Sequence, residues 1–84
     1  MQNIHMSSNE VTEYFDSQEF VDEAQKLNQV TGNAAELLRW SISLKWSESL
    51  IGKGCVPTER QSYAAATFVL GEISLEEFVA YIRE

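Results

Sequence analysis

The stretch AAELLRWSISLKWSESLI, residues 34–51, holds neither proline nor glycine and distributes its apolar side chains over two helical rows. Leu37, Trp40, Leu44 and Ile51 make one row; Leu38, Ile42, Trp46 and Leu50 make the other. A surface helix of a small domain needs a single stripe facing the core. The second stripe therefore predicts a helix that is either central in its own domain or shared with a partner. Ser41, Ser43, Ser47 and Ser49 are indifferent helix formers, small enough to let another backbone come close or to serve as solvent-facing filler.

Upstream, Thr31-Gly32-Asn33 reads as a turn, with Asn33 as cap and Glu36 three residues on. Further back the apolar phase changes. Val11, Tyr14 and Phe15 share one helical face, whereas Phe20, Val21, Ala24 and Leu27 share another, turned by roughly a third of a circle at about 100° per residue. A break at Asp16 or Ser17 accounts for the change, and Asp16 with Glu19 has the spacing of a capping box opening a helix that runs to about Val30.

Downstream, Gly52 and Gly54 are ready stops for residues 34–51. Beyond Pro57, Thr58 and Gln61 predict a capped helix over 59–70 on which Tyr63, Ala66, Thr67 and Leu70 align, and Gly71 supplies its left-handed end. Ser74 and Glu77 then cap a last helix with Leu75, Phe78, Val79 and Ile82 on one stripe. No alternating β-branched run bounded by hairpin turns occurs. The expected fold is all-α: a small bundle of four to five helices ending in an antiparallel helical hairpin, with residues 1–9 a flexible tail and 10–84 a single helical domain.

Eighty-four residues suffice for one core and no more. Thirteen acidic against six basic side chains leave a net charge of −7, which disfavours direct binding to nucleic acid or to an anionic membrane. Cys55 is the only cysteine and His5 the only histidine, so neither an intrachain disulfide nor a Cys/His metal site is expected. The start of the chain lacks the basic and apolar regions of a signal peptide, and no apolar run nears the roughly 20 residues of a membrane span. A cytoplasmic protein is expected.

Nothing points to catalysis or to a cofactor. A nucleophile–base pair would have to use His5, remote in the tail, and Gly52-Lys53-Gly54 is shorter than a phosphate-binding loop and follows a helix rather than a strand. One charge feature is sharper: Glu10, Glu13, Asp16, Glu19, Asp22 and Glu23 all precede the first basic residue, Lys26. Helix N-termini favour such charge. The alternative is an acidic face docking on a basic partner, as in a phage-type inhibitor that imitates nucleic acid.

Residues 68–78, FVLGEISLEEF, resemble the end of one helix, the Gly-Glu turn and the start of the last helix in VbhA-type antitoxins, which silence Fic-domain toxins. The similarity covers about residues 38–84. In that family a Ser/Thr-x-x-x-Glu-Gly/Asn signature ends the inhibitory helix and a proline-led helix follows. Ser49-Leu50-Ile51-Gly52-Lys53-Gly54 falls in register with the signature and Pro57 with the proline; Ser49 and Gly54 match, and Lys53 stands where the family has glutamate.

The resemblance implies a non-enzymatic helical protein that grips a Fic AMP-transferase. Trp46, Ser49 and Leu50 would lie near the interface, and Lys53 and Gly54 closest to the partner's active site. The family's glutamate pairs with an arginine there and keeps ATP from placing its γ-phosphate; a lysine would repel that arginine, so this chain would either block in another way or have lost inhibition. The rivals are the acidic mimic and a homo-oligomerisation module in which the spare stripe pairs with its own copy to give a homodimer.

Overall fold

The computed structural model describes residues 13–83, and these form a short 3₁₀ turn, Glu13–Asp16, and four helices: α1 (Gln18–Leu27), α2 (Gly32–Ile51), α3 (Glu59–Val69) and α4 (Leu75–Arg83). Among the described residues there is no strand, and the small all-α bundle is the class the sequence pattern predicts. The expected tail over 1–9, and Glu10 and Val11, lie outside the described residues.

Four boundaries differ from the sequence reading, the least of them the end of α3, which is Val69 rather than Leu70. The cap of α1 is Ser17 rather than Asp16: its hydroxyl accepts from the Phe20 amide at 3.1 Å while donating to the Tyr14 carbonyl at 2.6 Å, so one side chain closes the 3₁₀ turn and opens the helix. That helix stops at Leu27, short of Val30. The N-cap of α2 is Thr31, whose side chain makes no capping bond, in place of Asn33; Gly32, at φ +64°, turns the chain into the helix.

Two left-handed glycines close the longer helices in the same way. The Cys55 amide donates to Leu50 O and that of Gly54 to Ile51 O, with Gly54 at φ +81°; the Glu72 amide donates to Thr67 O and that of Gly71 to Phe68 O, with Gly71 also at +81°. This pairing of 6→1 and 5→2 bonds needs a residue at positive φ, which glycine adopts without a Cβ clash. The capping boxes expected at Thr58 and Gln61 and at Ser74 and Glu77 are both made.

Phe78 on α4 is the hub of the core. Its ring stacks on Phe68 of α3 at 4.9 Å and meets Trp46 of α2 and Phe15 of the 3₁₀ turn edge-on at 5.6 and 5.8 Å. Ile42, Leu50, Tyr14, Ala64, Ala65 and Ile82 complete the buried set, and no buried side-chain nitrogen or oxygen among the described residues lacks a partner. Arg39 ties α2 to the end of α3, its Nε donating to Val69 O at 3.1 Å. The first half of α2 therefore lies beside the C-terminal end of α3.

Candidate functional site

One row of α2 is interior and the other is bare. Ile42, Trp46 and Leu50 are essentially inaccessible, whereas Leu37, Trp40, Leu44 and Ile51 are 69, 56, 49 and 58% exposed. At about 100° per residue the bare four fall within about 60° of arc, a strip roughly 20 Å long at the helical rise. The sequence pattern requires two rows; the bundle supplies neighbours for only one of them. Large side chains of this type are more often found inside a domain than in a row on its surface.

Beside the strip, α2 and α3 enclose an open cleft of about 470 Å³. Trp40 and the exposed Leu70 border it, and the small side chains of Ser43, Ser47, Ser62, Ala65 and Ala66 line its walls. Buried Trp46 also lines it, and among the described residues Glu36 is the sole charged one that does. Serines 43 and 47 thus leave room for a second body, as their size allows.

The opposite flank of α2 is polar and closed. Lys45 Nζ lies 2.7 Å from Glu19 and 3.0 Å from Glu23, and Glu23 also accepts from Ser41 Oγ at 3.0 Å and from the Tyr14 hydroxyl at 3.2 Å. Burial alone would raise the Glu23 carboxyl, but these hydrogen bonds and the Lys45 charge outweigh it and hold its pKa below the ordinary carboxylate value. Burial, and then the neighbouring Glu23 charge, push the Tyr14 phenol well above its usual range. Hydrogen bonds to Glu19 and Glu23 raise the Lys45 ammonium.

The residues expected at a partner interface scatter. Trp46 and Leu50 are core residues, 1 and 0% exposed, and this corrects their assignment to a contact surface: they are the row that the domain uses for itself. Ser49 and Lys53 line a shallow recess with Tyr14 and Ser17, on the side of α2 that meets the 3₁₀ turn, where Lys53 pairs with Glu13. Gly54 is exposed in the turn beyond. None of the five belongs to the bare strip.

The acidic run is largely engaged within the chain. Glu13 pairs with Lys53, Asp16 lies 3.8 Å from Arg83, Glu19 and Glu23 hold Lys45, and Asp22 accepts from Gln18 at 3.0 Å. Glu10 lies outside the described residues. Four of these carboxylates thus have a cation beside them within the chain, which reduces the negative charge that a nucleic-acid mimic would have to present.

Among the described residues no group of His, Cys, Asp and Glu is placed to hold a metal ion, and no helix is long and apolar enough to cross a membrane. Sequence reasoning missed Leu70 and the small-residue wall of α3, because a helix C-cap and an alanine run carry no signal until a neighbour shows which way they face. Comparison with protein-family models, with curated proteins and with solved structures finds no match to this chain.

Proposed function

We propose that the chain is a non-enzymatic helical inhibitor of the antitoxin kind, binding and masking a protein partner through the uncovered row of α2. One observation carries this reading: Leu37, Trp40, Leu44 and Ile51 stand at core-forming spacing on a long, well-anchored helix, yet are about half exposed or more. Side chains of this type, in a row this long, are suited to be covered by another macromolecule. The resemblance of residues 38–84 to VbhA-type antitoxins makes a Fic-domain AMP-transferase the partner to test first. With Lys53 at the family's glutamate position and drawn to Glu13, the block works by covering the partner rather than by a glutamate–arginine pair.

The test is AMP transfer by a purified Fic enzyme titrated with this chain. The expected result is stoichiometric loss of transfer with co-elution of the two proteins, and recovery of transfer with Leu44→Glu, at a position 49% exposed, with circular dichroism checking that the variant folds. Undiminished AMP transfer together with separate elution contradicts the assignment to a Fic partner.

A further inference from the structure

Resting on the reading that α2 meets a protein partner, we propose that the cleft between α2 and α3, with the bare row beside it, is a groove for a basic amphipathic helix of that partner. The groove is apolar in its walls and acidic at its borders. Glu36 lines it at the Leu70 end. Glu59, three and seven residues before Ser62 and Ala66, lies on their face of α3 near Pro57; both glutamates are exposed. The neighbouring cations are turned elsewhere: Lys45 to Glu19 and Glu23, Lys53 to Glu13, Arg39 to the Val69 carbonyl.

Charge complementarity selects among occupants. A second copy would bring the same two glutamates and a net charge of −7 against themselves. Residues 1–12 contain no lysine or arginine to meet them. A helix with Lys or Arg flanking an apolar stripe satisfies both features, and about 14 residues span the distance from Leu37 to Ile51. One bulky apolar side chain enters between Trp40 and Leu70, while Ser43 and Ser47 let its backbone approach.

The probe is a fluorescein-labelled 14-residue Leu/Lys amphipathic peptide, compared by anisotropy with its Leu/Glu counterpart and with a scrambled Leu/Lys peptide of equal charge. The full chain is used at physiological ionic strength. The expected result is binding at least tenfold tighter than either control. Ser47→Trp, which fills the cleft, and the pair Glu36→Lys and Glu59→Lys should each weaken it at least tenfold. The pair Glu72→Lys and Glu76→Lys, equal in charge but outside the groove, should change it less than twofold.

Equal binding of the scrambled peptide, or equal loss with both charge-reversed pairs, overturns the proposal in favour of unspecific attraction. A concentration-dependent dimer in sedimentation that excludes the peptide assigns the groove to a second copy and likewise overturns it. The two readings fail separately. If Leu44→Glu breaks the partner complex but the peptide binds no better than its controls, only the basic-helix assignment falls; if the peptide binds in the groove and no partner complex depends on Leu44, the masking role falls.

Discussion

Trp40 and Trp46 stand six residues apart on one helix and live in different worlds. Trp46 meets Phe78 edge-on at 5.6 Å and is sealed from solvent, whereas Trp40 is more than half exposed at the lip of a cleft. The same division separates Ile42 and Leu50 from Leu44 and Ile51. Residue chemistry does not distinguish the rows; the supply of neighbours does. The 3₁₀ turn, α3 and α4 bring Tyr14, Phe15, Phe68 and Phe78 to the buried side of α2, while Tyr63 and Tyr81 stay exposed. What the domain leaves uncovered is available to a partner.

The sharpest way to break this comparison is to truncate each tryptophan in turn. Trp46→Ala should cost about 3–5 kcal/mol by loss of burial and creation of a cavity, whereas Trp40→Ala should change stability by no more than about 0.5 kcal/mol. Urea denaturation measures both. Equal losses would mean that the strip is not bare. Phe78→Ala, at the meeting point of Phe15, Trp46 and Phe68, should match the Trp46 loss, with a cost of about 3–5 kcal/mol.

The polar flank should respond less, and to pH. Glu23→Gln, which weakens charge-assisted hydrogen bonds from Lys45, Ser41 and Tyr14, should cost about 1–3 kcal/mol near neutral pH. Its folded pKa lies below its unfolded one, so its contribution is complete above the ordinary carboxylate value and is lost as pH falls through the folded value. Lys45 has the opposite sign: its raised pKa gives a contribution present below the ordinary lysine value and lost as pH rises through the folded one. Denaturation midpoints across pH should therefore fall at both extremes, and Glu23→Gln should flatten the acid limb. An unchanged acid limb would show that the network around α2 is ornamental.

Smaller effects test the closures that aim the rows. Gly71→Ala places a Cβ at φ +81° and 3.2 Å from the Arg39 guanidinium, and should cost about 1–2 kcal/mol. Thr58→Ala, which removes half of a complete capping box, should cost about 1 kcal/mol. Neither should alter binding at the strip beyond its effect on stability.

Much of the fold was legible because its punctuation is chemical. Gly71, the Thr58–Gln61 pair and the Ser74–Glu77 pair each specify a local geometry that needs no tertiary neighbour. The start of α1 was displaced by one residue because Asp16 and Ser17 are both good caps, and only the closing bond from Ser17 to Tyr14 decides between them. The two rows of α2 were legible as rows. Which one faces inward was not, since that depends on where Phe15, Phe68 and Phe78 converge, a property of three distant segments. Trp46 and Leu50, expected as partner contacts, are core residues for that reason, and the cleft wall on α3 emerges only once Arg39 fixes that helix beside α2.

The most direct test of the bare strip compares acrylamide quenching of two single-tryptophan proteins, Trp46→Phe, which keeps Trp40, and Trp40→Phe, which keeps Trp46, each as an isolated monomer. The expected result is that Trp40 is quenched nearly as readily as a solvent-exposed indole while Trp46 is strongly protected, and that adding the Fic enzyme proposed as partner protects Trp40 and leaves Trp46 unchanged. Strong protection of both tryptophans in the isolated monomer would contradict it, for then no apolar row on α2 would remain to be covered.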